Sequence, residues 1–82
     1  PFRKRLIATG VNLLAPDAQS GRARIKIRSR DRGTPGNWQL DGDRLSVQFD
    51  DPVRAITPGQ SVVLYDGDRV IGGGIIQHAV HL

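Results

Sequence analysis

The chain has 82 residues, a mass of 9.0 kDa and a net charge of +4, with 38% apolar and 5% aromatic residues, ten glycines, five prolines and no cysteine. That is enough for one small domain around one apolar core, and too little for separate catalytic and binding halves. Without cysteine, disulfides and thiol or persulfide chemistry are closed to this segment, and no apolar run approaches the roughly 20 residues that cross a bilayer.

In chain order, residues 1–5 read as a basic flank carrying Arg3, Lys4 and Arg5, residues 6–79 as a single domain, and residues 80–82 as a tail. Pro1 in place of an initiating methionine suggests a fragment or a processed product, and His81-Leu82 is compatible with vector sequence. Leu6 to Leu14 would tolerate a short helix, but Gly10 and the β-branched Ile7, Thr9 and Val11 favour an extended segment. From Arg22 to Arg30 basic and small or apolar residues alternate strictly, which predicts a strand with one buried face. Arg32 to Asn37 reads as a loop, and Trp38-Gln39-Leu40 starts a short strand that ends in the hairpin dipeptide Asp41-Gly42. Leu45, Val47 and Phe49 share one face of the next strand. Thr57-Pro58-Gly59-Gln60 has the residues of a type II turn. Ser61 to Tyr65, a second hairpin dipeptide at Asp66-Gly67, and Arg69 to Gln77 complete the pattern. Short strands at intervals of about ten residues predict an all-β fold, a small closed or nearly closed antiparallel barrel of about six strands. Ile25, Ile27, Leu45, Val47, Phe49, Val62, Leu64 and Val70 are expected to supply much of its core.

The charge is unevenly placed. Residues 1–41 hold nine Lys or Arg against three Asp, a balance of +6, whereas residues 42–82 hold three against five, a balance of −2. Arg22, Arg24, Lys26, Arg28 and Arg30 fall on the polar side of one predicted strand, about 6.6–6.8 Å apart, close to the phosphate spacing of an extended nucleic-acid strand. Two readings stand: these cations track a nucleic-acid backbone, or they are the solvated outer face of a barrel strand that also guards an edge. No aromatic residue interrupts the row, so base stacking is not supported. Gly72-Gly73-Gly74 lacks the Lys-Ser/Thr pair and helix of a phosphate loop and reads as a bulge or close backbone approach. His78 and His81 would fall on opposite faces of a strand, and Asp41/Asp43, Asp50/Asp51 and Asp66/Asp68 read as turn residues, so neither a metal site nor a catalytic constellation is expected.

Two longer motifs carry a resemblance. Ala55-Ile56-Thr57-Pro58-Gly59-Gln60 followed by Val63-Leu64-Tyr65-Asp66-Gly67, and Gly72-Gly73-Gly74-Ile75-Ile76, resemble the C-terminal domain of the bacterial tRNA-specific 2-thiouridylases. That family reads Ala-Val-Thr-Pro-Gly-Gln, Val-x-Tyr-Asp/Asn-Gly and Gly-Gly-Gly-x-Ile at corresponding spacing. Val11-Asn12-Leu13-Leu14 and Lys26-Ile27-Arg28-Ser29-Arg30 are similar to its Val-Asn-Trp-Leu and Lys-Ile/Thr-Arg-Tyr-Arg, with Leu13 and Ser29 as departures. The resemblance implies a barrel like the second domain of translation elongation factors, helping to hold tRNA within a cytoplasmic sulfurtransferase that forms 2-thiouridine at the wobble position. It also implies ATP and a persulfide sulfur donor bound elsewhere in the full-length enzyme, with no cofactor in this segment. The implied partners are tRNA, the N-terminal and central domains of the same polypeptide and a sulfur-relay protein, with no membrane. By position, Arg28 and Arg30 inherit the RNA-contact role; Arg22, Arg24 and Lys26 extend it by strand period. A structural module that only packs on its neighbours is the competing expectation.

Overall fold

The computed structural model describes residues 2–14, 18–28 and 30–80. They form six strands: β1 (Phe2–Leu13), β2 (Ser20–Lys26), β3 (Thr34–Asp41), β4 (Arg44–Arg54), β5 (Ser61–Asp66) and β6 (Arg69–Val80). All pairings are antiparallel, and the order β1-β4-β3-β2-β5-β6 closes into a barrel. No described residue is helical, so no helix there is long and apolar enough to cross a membrane. His81 and Leu82 lie outside the described residues.

Period-two alternation builds the core. Leu6 and Ala8 point inward from β1, Ala23 and Ile25 from β2, Trp38 from β3, Leu45, Val47, Phe49 and Val53 from β4, Val62 and Leu64 from β5, and Ile76 from β6. Ile27, just past β2, joins them. Each fully buried branched or aromatic side chain contributes about 1.5–3 kcal/mol. Every strand pairs on both sides within this chain and the strands fill their own interior, so the barrel is a self-contained folding unit.

The turns match the sequence expectation with one refinement. In the β3–β4 and β5–β6 hairpins it is Gly42 (φ 63°) and Gly67 (φ 60°) that take positive φ, while Asp41 and Asp66 end their strands. A glycine at the first central position with an ordinary residue after it is the pattern of a type II′ turn. Thr57–Gln60 is the expected type II turn: Gly59 has φ 90°, Gln60 N–H donates to the Thr57 carbonyl at 3.4 Å, and the Gln60 side chain accepts from Thr57 N–H at 3.1 Å. The run Gly72–Gly74 lies within β6 as a close backbone approach. A Cβ at Gly73 would fall inside the Val62 carbonyl oxygen, and one at Gly74 would lie 2.8 Å from that of Thr9.

Four expectations need correction. Val70 is 39% exposed rather than in the core. The β5–β6 register runs Leu64↔Gly72 and then Tyr65↔Val70, so Ile71 is an extra residue that flips the alternation and puts Val70 on the outer side beside Tyr65. Second, β2 ends at Lys26. Asp31 accepts hydrogen bonds from Ile27 N–H (3.4 Å) and Gly33 N–H (2.9 Å), which draws the chain after Lys26 into a loop although the sequence alternation continues. Third, β3 starts at Thr34, earlier than the expected loop allowed, because Thr34–Asn37 pair with Arg22–Ile25. Fourth, Asp50 and Asp51 lie inside β4 rather than in a turn. Between Arg3↔Val53 and Arg5↔Gln48 a single β1 residue faces four on β4, so the aspartates sit on a wide bulge.

Asp43 has a role the turn reading missed. Its carboxylate accepts from Gly10 N–H (3.0 Å) and Val11 N–H (2.8 Å), the two amides freed where the β1–β6 ladder is interrupted between Thr9 and Asn12. Those backbone donors, Val11 first, hold its pKa below the usual carboxylate value. A depressed folded-state pKa contributes stability above the unfolded value of about 4, and that contribution is lost as pH falls through the folded value. Asp43→Ala should therefore lower the melting temperature at neutral pH, with the gap from wild type closing as pH drops below the carboxylate range. A gap independent of pH would contradict the clamp.

Candidate nucleic-acid interface

β2 alternates because its even-numbered side chains face outward, and it places Arg22, Arg24 and Lys26 in a row on the barrel surface. Arg28 and Arg30 are exposed but lie beyond the strand's end, so the five cations follow a strand and then a loop instead of one straight face.

Their partners divide the row. Arg22 makes a two-pronged pair with Asp50 on β4, both contacts at 2.7 Å, and also donates to Asn37 Oδ1 at 3.3 Å. This pairing, through its hydrogen bonds first, raises the Arg22 pKa and lowers that of Asp50. With both side chains well exposed, the pair adds little to stability but cancels a charge. Arg24 instead donates to the Gly33 carbonyl (3.1 Å), and Lys26 Nζ sits 4.9 Å from the centre of the Tyr65 ring. Arg28 donates to the carbonyls of Arg54 (3.2 Å) and Ala55 (2.6 Å). All of these partners are neutral, so among the described residues Arg24, Lys26 and Arg28 are positioned while keeping their full charge.

Arg28 also has structural work, since Ala55 is the one non-glycine with positive φ (57°) among the described residues and Arg28 holds its carbonyl. Asp50 and Tyr65, which set the character of Arg22 and Lys26, escaped the sequence reading. The outward alternation Ser46, Gln48, Asp50 marks the surface side of β4, but only the register places Asp50 beside β2. Elsewhere, Gly72–Gly74 runs between β1 and β5 with the carbonyl oxygens of Asn12, Val62 and Thr9 closest to its Cβ positions, an acceptor-lined strand that does not suit a phosphate group, and His78 is exposed on β6.

A family model described as the aminomethyltransferase β-barrel domain matches residues 3–76. The tRNA-specific 2-thiouridylase MnmA of Clostridioides difficile is 44% identical over 82 residues, covering 96% of this chain and 23% of the relative. That of Geotalea uraniireducens is 45% identical over 78 residues, covering 93% and 21%, and that of Picosynechococcus 53% identical over 58 residues, covering 70% and 16%. This chain thus spans about a fifth of the length of the curated relatives it matches. With six antiparallel strands closed as the motifs implied, the chain belongs to the aminomethyltransferase β-barrel domain family, in the tRNA-specific 2-thiouridylase branch where that barrel is the C-terminal domain.

Proposed function

We propose that this barrel is the tRNA-holding accessory domain of a cytoplasmic, ATP-dependent tRNA 2-thiouridylase, gripping phosphates while the rest of the polypeptide performs activation and sulfur transfer at the wobble uridine. ATP, the persulfide donor and any sulfur-relay protein belong to that remainder, since this chain has no cysteine and its glycine run does not fit a phosphate. The observation that carries the reading is the trio Arg24, Lys26 and Arg28, held in place by neutral groups and therefore uncompensated. Phosphate contacts of this kind position a ligand without reading sequence, so the barrel binds tRNAs with little preference among them.

Arg24→Gln/Lys26→Gln should weaken tRNA binding, and Asp50→Asn should strengthen it by releasing the charge of Arg22. Both variants should keep the wild-type melting profile, because the altered side chains are on the surface. Filter binding with purified tRNA checks this, and unchanged affinity in both variants would contradict the phosphate grip. Arg28 is a poorer probe because its loss also frees the Arg54 and Ala55 carbonyls.

One observation also favours a packing role. Next to the cation row, across the β2–β5 pairing that sets Val63 beside Lys26, Val63, Val70, Gly73, Ile75 and Leu14 line a shallow groove that no charged side chain among the described residues enters, on a chain that is 24% charged. Such a surface suits the remaining length of the same polypeptide, so the barrel docks through β5–β6, adjacent to the cations that face RNA.

A further inference from the structure

We infer that the RNA lies across the strands, over the outer face of β2-β3-β4-β1, where neutral donors contact its ribose 2′-hydroxyls. This rests on the proposed tRNA-holding function and adds a surface that the cation row on β2 does not include.

The register stacks outward side chains into two parallel rows. One runs Arg22, Asn37, Gln48, Arg5; the next runs Ser20, Gln39, Ser46 and continues past Ile7 to His78. Neighbours within a row are about 4.7–4.9 Å apart and the rows about 6.7 Å apart. Apart from Arg22, they line an open groove of about 770 Å³ whose lining also includes Arg44 and, among the described residues, no aspartate.

The hydrogen bonds within the first row give it a direction. Arg5 donates to Gln48 Oε1 at 3.1 Å, and Arg22 donates to Asn37 Oδ1 at 3.3 Å. Both amide oxygens are thereby occupied, and each amide offers its NH₂ group to a ligand. Amide donors beside the Arg5 guanidinium, with Arg22 paired to Asp50 at the other end, suit phosphate and 2′-hydroxyl oxygens. Trp38 is 4% exposed and offers no stacking platform for a base, which leaves His78 at the end of the second row as the one exposed ring among the described lining residues. A row of cations alone treats RNA and DNA alike, whereas amides and hydroxyls at this spacing can engage the 2′-hydroxyl that only RNA carries.

The test titrates this chain with a tRNA transcript and with DNA of the same sequence. Wild type should favour the RNA by about five- to tenfold, the worth of one or two hydrogen bonds. Asn37→Ala/Gln39→Ala/Gln48→Ala removes no charge and should erase the preference by weakening RNA alone. Gln39→Glu/Gln48→Glu, close in size and shape, should weaken tRNA binding more than about tenfold, with thermal melting confirming that each variant is folded. Equal binding of RNA and DNA by wild type would overturn the inference. So would tRNA binding that falls in Arg24→Gln/Lys26→Gln yet is unchanged in both groove variants, a result that leaves the proposed function standing. No tRNA binding by wild type would remove both.

Discussion

Gly73→Ala is expected to cost the barrel about 3 kcal/mol or more, because the new methyl collides with backbone instead of a side chain that can turn away. Gly73 pairs with Val63, and a Cβ there would collide with the Val62 carbonyl oxygen, so β5 and β6 must separate where Leu64 and Ile76 close the core. A domain of this size has roughly 4–12 kcal/mol of stability in total. The informative control is Gly67→Ala. Gly67 has positive φ but nothing within 4 Å of a Cβ, so alanine there costs only the unfavourable positive-φ backbone, about 1–3 kcal/mol. Urea denaturation of the two variants separates lack of space from lack of conformational freedom. Equal destabilisation would show that the glycine run is not a close approach.

The second large effect is at Ile27. It is 4% exposed although it lies past the end of β2, and it belongs to the hydrophobic core cluster. Ile27→Asn loses about 1.5–3 kcal/mol of burial and leaves an amide without partners for about 1–3 more, a sum of roughly 2.5–6 kcal/mol that reaches the lower part of the domain's total stability. Partial unfolding at 37 °C, seen as lost near-ultraviolet signal from Trp38 and early urea unfolding, is the expected result. A cost below about 1 kcal/mol would place Ile27 outside the core.

Much of this architecture was legible because alternation and turn chemistry are local. Ile25, Leu45, Val47, Phe49, Val62 and Leu64 declare an inner face by period two, and the Asp-Gly and Pro-Gly dipeptides mark where strands stop. What escaped depends on pairing between distant strands. Val70 follows the period of Gly72, Gly74 and Ile76, and only the extra residue at Ile71 turns it outward. Asp50 looks like a turn residue until the β4 bulge brings it to Arg22, the roughly 90–100 Å of extended chain between them being irrelevant once the strands are paired through β3. The site was legible to the same degree. The row of cations could be read from spacing, but which of them keeps an uncompensated charge is set by partners on β3, β4 and β5 and by the loops that follow β2 and β4. The uncharged rows of Asn37, Gln39, Ser46 and Gln48 carry no charge signal at all, and the register alone assembles them.

The most direct test of the tRNA-holding role is the salt dependence of binding between this chain and unmodified tRNA, from about 50 to 200 mM monovalent salt. If Arg24, Lys26 and Arg28 each displace a condensed counterion, log K should fall against log salt with a slope of about −2 to −3, from an affinity in the micromolar range or weaker. Arg24→Gln/Lys26→Gln should flatten that slope by about one to two. A slope near zero, or one identical in wild type and the double variant, would contradict the claim that these cations grip RNA.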